Sequence, residues 1–130
     1  MRVLLDTNAW SAMQEGDPAV ERLVRRSEGV VMSAIVVGEL LYGFRSGNRF
    51  RRNLEFLEDF LAEPQITFLP VTRATCERFG IVASALRRAG KPLPSNDVWI
   101  AAHAIESGAT LVSYDSDFGV VDGLDWVRPK

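Results

Sequence analysis

Arg2-Val3-Leu4-Leu5-Asp6-Thr7-Asn8, next to Met1, sets three apolar residues before three polar ones. An uninterrupted apolar run reads as a strand buried on both faces, because a half-exposed strand would alternate polar and apolar residues. Asp6, Thr7 and Asn8 then end it with residues that favour turns and helix caps. The same apolar signature recurs at Val30-Val31-Met32, Ile66-Thr67-Phe68-Leu69 and Thr110-Leu111-Val112, and Trp126-Val127 reads as a fifth short strand.

Helical patterns fill the gaps. Trp10 to Met13 starts a short helix that Gly16-Asp17-Pro18 breaks. Asp17 as cap and Pro18 at the first helical position open a second, with Val20, Leu23 and Val24 as its apolar stripe to about Arg26. Ser33 caps a helix through Glu39 to about Phe44, with Gly47 near its end. Phe50, Leu54, Leu57 and Leu61 mark the next, and Thr72 opens one through Phe79, Val82, Ala83 and Leu86 to Gly90. After Lys91-Pro92-Leu93-Pro94, Ser95 or Asn96 is expected to cap a helix from about Asp97 to Ser107, stopped by Gly108. Short apolar strands alternating with helices predict an α/β fold, a central parallel sheet of four to five strands between two helical layers (α/β/α). We expect one domain over residues 1–130, a length able to bury roughly two-thirds of its unfolded surface.

Composition narrows the function. Hydrophobic residues make up 47% and charged residues 25%, values ordinary for a globular protein. Fifteen basic against seventeen acidic residues give a net charge of −2, so the chain is no polycation built to coat nucleic acid. All the bases but Lys91 and Lys130 are arginine, whose planar fork suits phosphate, and Arg45, Arg49, Arg51 and Arg52 cluster with no acid between Leu40 and Leu54. That cluster is a candidate RNA-backbone contact. One cysteine, Cys76, and one histidine, His103, exclude a Cys/His zinc site and a metal-free ribonuclease working through paired histidines. Cys76 reads as a packing residue, and His103, off the Asp97 face of its helix, as structural or surface. The lone thiol fits a reducing, cytoplasmic setting, and no run approaches the ~18 apolar residues of a membrane span. The carboxylate at Asp6 also argues against a signal peptide.

The acids carry the chemistry. In an open parallel sheet, ligands bind outside the carboxyl ends of the strands. Asp6 follows the first strand and Asp115 follows the fourth, so both are expected on one rim. Glu39 sits in an otherwise apolar helix, Ala34 to Leu41, where an unpaired charge is strongly disfavoured unless it is paired, metal-bound or turned to a wet cleft. Asp97 shares its helix face with Ile100, Ala101 and Ala104, which takes it towards the interior edge. A like-charge pair at ~4 Å costs about 4 kcal/mol at an effective dielectric of 20, so a carboxylate cluster should hold protons or a cation. An all-oxygen donor set selects Mg²⁺ or Mn²⁺, ions that assist phosphodiester hydrolysis.

Four motifs carry a resemblance: Leu4-Leu5-Asp6-Thr7-Asn8; Gly38-Glu39-Leu40 with Tyr42-Gly43; Asn96-Asp97-Val98-Trp99-Ile100-Ala101-Ala102-His103-Ala104; and Ser113-Tyr114-Asp115-Ser116-Asp117-Phe118. In this order they resemble the successive motifs of PIN-domain ribonucleases, and among these the VapC toxins of toxin–antitoxin pairs. The resemblance implies a PIN fold over the whole chain and an endoribonuclease, the toxin of a type II system. Asp6, Glu39, Asp97 and Asp115 fall where the family places its catalytic, Mg²⁺- or Mn²⁺-binding acids. Asn8 and Ser113 match polar neighbours that hold the carboxylates or the attacking water, and Asp117 matches a variable accessory acid. Ser113 stands where the family usually has threonine, with the hydroxyl retained. The resemblance also implies a homodimer, and a VapB-type antitoxin whose C-terminal segment covers the active site in a hetero-oligomer. Two other readings of the residues remain open. One is a metal-dependent phosphatase, against which stands Asn8 where a haloacid-dehalogenase-type enzyme needs a second acid; the other is a catalytically silent PIN-fold binding module.

Overall fold

A computed structural model describes residues 1–130. Strands β1 (Arg2–Leu5), β2 (Gly29–Ser33), β3 (Ile66–Leu69), β4 (Thr110–Val112) and β5 (Trp126–Val127) form one sheet in the order β3-β2-β1-β4-β5. Every pairing is parallel, with Val3 beside Val30 on one flank of β1 and Leu5 beside Val112 on the other. Parallel neighbours need crossovers, and helices α1 (Thr7–Gln14), α2 (Pro18–Arg26), α3 (Ala34–Ser46), α4 (Phe50–Leu61), α5 (Arg73–Arg88) and α6 (Ser95–Ser107) supply them. The sheet is flanked by these helices, as expected from the alternating pattern.

The three inner strands explain their apolar runs. Val3, Leu4, Leu5, Val30, Val31, Met32, Leu111 and Val112 are all buried, for helices cover both faces. The edge strand β3 is less enclosed, leaving Phe68 48% exposed. At Gly29 a Cβ would come within 3.0 Å of the Gln65 carbonyl oxygen, so glycine permits the close entry of the two strands there. Gly108 ends α6 in the left-handed region at φ 71°, as its position after the last apolar residue implies.

Sequence order reverses about β1. The chain runs β1 to β2 to β3 outward on one side, then returns to place β4 on the other. The gap between the carboxyl ends of β1 and β4 is therefore the switch point of the sheet, where such folds open a crevice.

Two expectations need correction. Helix α6 begins at Ser95, two residues before Asp97, with Pro94 as its cap residue and no side-chain cap bond. The Pro94 carbonyl accepts from the Val98 N–H at 3.2 Å, so neither Ser95 nor Asn96 caps, and the Asn96 amide is free for another partner. Cys76 is exposed and does not pack. The buried stripe of α5 runs through Thr75, Val82 and Leu86, and Cys76 lies off it.

Candidate functional site

Local structure puts the first carboxylate at the switch point. Asp6 caps α1 by accepting from the Ala9 N–H at 2.9 Å through Oδ1. Its other oxygen, Oδ2, accepts from the Ser113 hydroxyl at 2.5 Å, a bond made possible because Leu5 and Val112 are register partners. Asp6 is thus buried and held at both oxygens. Burial pushes its carboxyl above the ordinary range; the Ser113 and Ala9 bonds oppose the rise, and the charges of Asp115 and Glu39 add to it.

Three further acids meet it. Asp6, Thr7, Asn8, Glu39, Asp97, Ile100 and Asp115 line one crevice of about 190 Å³. Glu39 reaches it from α3, where Oε1 accepts from the Thr7 hydroxyl at 2.6 Å and Oε2 from the Asn96 amide at 3.2 Å. An acid in an apolar helix is stabilised here by two donors and an open cleft. Asp97 enters from the first turn of α6, with Val98, Ile100 and Ala101 buried behind it. Its carboxyl is pushed up to about 6, first by loss of water and then by the charges of Asp115, Glu39, Asp6 and Asp117. Asp115 follows β4 and accepts from the Asp117 N–H at 2.9 Å, while its own N–H donates to Ser113 Oγ at 3.0 Å.

The remaining candidates divide. Ser113 is inside the site, bonded to Asp6 and, through its carbonyl, to the Trp126 indole N–H at 3.0 Å. Asn8 lines the crevice but bonds no carboxylate with its side chain. Asp117 stands outside the lining and acts on it through the Asp115 bond and its charge on Asp97. None of the four arginines lines the crevice. Arg45 lies over the Phe50 ring at 4.3 Å and Arg52 over Phe56 at 5.4 Å. Arg49 and Arg52 border a separate groove with Trp10, Phe44 and Phe56, and Arg51 is exposed. Reasoning from sequence missed Thr7 and Asn96 as partners of Glu39; their signal is adjacency, each standing next to a crevice aspartate.

His103 is fully buried. Its Nδ1 lies 2.7 Å from the Ser33 hydroxyl and its Nε2 3.2 Å from the Pro70 carbonyl, and burial holds its pKa below the usual value. A neutral ring that donates from Nε2 and accepts at Nδ1 satisfies both contacts. Ser33 also accepts from the Ile35 N–H at 3.1 Å as the cap of α3, so the ring ties the start of α3 to α6.

The donor chemistry fits a hard divalent cation, since the ionisable groups of the crevice are all carboxylates. In their present rotamers no three acidic, histidine or cysteine side chains are arranged to hold an ion. Asp6, Glu39 and Asp115 each accept hydrogen bonds from protein donors. Binding an ion would exchange some of those bonds for coordination.

Fold and crevice define a class: a parallel α/β protein with an all-carboxylate site at its switch point. The family model "PIN domain" matches residues 3–124, and the chain belongs to the PIN-domain family. Among its relatives, ribonuclease VapC2 of Haemophilus influenzae is 32% identical over 87% of this chain and 86% of its own length. The tRNA(fMet)-specific endonuclease VapC of Shigella flexneri is 30% identical, covering 97% and 98%. Among solved structures, VapBC-1 of nontypeable Haemophilus influenzae is 26% identical with a TM-score of 0.83, covering 98% of each chain. VapBC2 of Rickettsia felis, bound to a promoter DNA fragment, shares the fold with a TM-score of 0.86 at 24% identity, covering both chains completely. Ribonucleases of this family generally depend on divalent metal ions.

Proposed function

We infer that the chain is an endoribonuclease, the VapC-type toxin of a toxin–antitoxin pair, that hydrolyses RNA phosphodiester bonds with Mg²⁺ or Mn²⁺. The observation that carries this reading is the convergence of Asp6, Glu39, Asp97 and Asp115, from four separate elements, on one crevice. These four side chains would hold the cation, which when bound acidifies water and offsets charge on the leaving oxygen. Ser113 and the Ala9 N–H orient the Asp6 carboxylate, and Thr7 and Asn96 orient Glu39. In-line attack by water leaves 5′-phosphate and 3′-hydroxyl ends. Asn8 and Asp117 are accessory groups at the crevice margin, and Arg45, Arg49, Arg51 and Arg52 contact the RNA backbone away from the acids.

The relatives named as VapC support the nuclease, and the VapBC complexes support a VapB-type antitoxin as partner in a hetero-oligomer built on a toxin homodimer. No helix is long and apolar enough to cross a membrane, and we place the activity in the cytoplasm, where its RNA substrate is. The test is incubation of purified protein with structured RNA in Mg²⁺, Mn²⁺ or EDTA. We expect metal-dependent cleavage that Asp6→Asn and Asp97→Asn each abolish with the circular dichroism spectrum unchanged. Full EDTA-sensitive activity in both variants would refute the assignment.

A further inference from the structure

The acidic crevice does not end at Glu39. The same side chain walls a second, wider hollow of about 590 Å³, lined otherwise by Ala34, Ile35, Gly38, Tyr42 and Asn96. Residues 35, 38, 39 and 42 recur at intervals of three and four along α3, so they share one helix face. Gly38 has no side chain, and a Cβ there would meet nothing within 4 Å, so the middle of that face is a flat floor under open space. Tyr42 rises one turn beyond it and is 76% exposed. Its ring meets no other aromatic ring and no arginine, and its hydroxyl has no hydrogen-bond partner in the protein.

A bare aromatic ring beside a nuclease crevice has one obvious chemical complement. Proteins read unpaired RNA by stacking bases on aromatic side chains, and every base offers a flat face of suitable size. The lining also holds no basic side chain to seat a phosphate, and its floor of Ala34, Ile35 and Gly38 is small and apolar, which suits a neutral ring. We propose that Tyr42 is a substrate-positioning residue that stacks an unpaired nucleobase next to the scissile phosphate, over the floor left by Gly38. This rests on the ribonuclease reading above.

The test uses the full chain, wild type and as Tyr42→Phe and Tyr42→Ala, with Ca²⁺ replacing Mg²⁺. Fluorescence anisotropy measures binding of two labelled probes: a random-sequence RNA of about twelve nucleotides, and an abasic ribose-phosphate oligomer of the same length. Tyr42→Ala should bind the RNA about tenfold more weakly, Tyr42→Phe should bind it like wild type, and all three should bind the abasic oligomer equally. Three results overturn the proposal: equal RNA binding by all proteins, an equal loss on both probes, or conversion of a wild-type dimer to a monomer in Tyr42→Ala by light scattering, which would make this face a contact between copies. Wild-type cleavage of total RNA with Mg²⁺ separates the two levels. If cleavage is present while Tyr42→Ala binds normally, only the base site falls; if cleavage and binding are both absent, the ribonuclease reading falls with it.

Discussion

Replacing Asp97 with asparagine should stabilise the metal-free protein while destroying its activity. The Asp97 carboxyl is raised from 3.8 to about 6, because it is half-buried and faces four other acids. For an acid the sign is fixed: a raised value favours the protonated form on folding, so the stabilisation is full below about 3.8 and is lost as pH rises through about 6. A rise of that size corresponds to ~3 kcal/mol without screening. Asp97 keeps part of its surface in water, which cuts the figure, and the α6 N-terminus favours its negative charge by ~0.3–1 kcal/mol. A net gain of about 1 kcal/mol is left for the asparagine variant at neutral pH, or roughly 4 °C in Tm. Thermal melts in EDTA from about pH 4 to pH 7.5 measure it. The wild-type curve alone would mislead, because His103 works in the opposite sense: its lowered pKa makes the fold less stable as pH falls below 6.5. Subtracting wild type from variant cancels that contribution. The difference should be near zero at the acid end, open between about pH 4 and 6, and shrink when Mn²⁺ is added to both proteins, since the ion stabilises chiefly the wild type. A difference that is negative, or constant with pH, would show that Asp97 is not held against its charge in this crevice.

Three further outcomes follow from individual contacts. Ser113→Ala removes the bond that opposes the rise of Asp6, so the acidic limb of the cleavage pH profile should move to higher pH. Mn²⁺ affinity by calorimetry should fall about tenfold. Arg49→Ala together with Arg52→Ala should weaken RNA binding at every sequence and reduce the slope of log affinity against log salt by about one to two, measured by anisotropy titrations at several salt concentrations. Cys76, being exposed, should react stoichiometrically with a thiol reagent in the native protein, and Cys76→Ser should change stability by less than ~0.5 kcal/mol in urea unfolding.

What the sequence reveals and what it hides divide along a physical line. Strands β1, β2 and β4 are legible because burial on both faces writes itself as unbroken apolar runs, and Asp6 and Asp115 are legible because each follows such a run closely. Periodicity bears on Cys76 only weakly: Phe79 and Ala83 lie three and seven residues on, on its side of α5, and it is the buried line through Val82 and Leu86 that takes in Thr75 and leaves the cysteine about 100° away. Thr75 is buried and donates to Glu106 at 2.6 Å, a pairing across 31 positions that no local pattern announces. The start of α6 misled for a similar reason. Ser95 and Asn96 are good capping residues by type, but the Asn96 amide is drawn to Glu39, 57 residues away, and the helix closes on the Pro94 carbonyl instead. The approach of Glu39 to Asp97 is likewise a property of how α3 lies against α6. Ser33 begins α3 roughly one and a half turns before Glu39, and His103 follows Asp97 on α6 by about as much. The buried Ser33–His103 bond therefore fastens the two helices at points equally far along the chain from Glu39 and Asp97, on the N-terminal side of one acid and the C-terminal side of the other. Of the two roles the sequence leaves to His103, structural or surface, the structural one holds: it joins the two helices whose carboxylates no reading of either helix alone brings together.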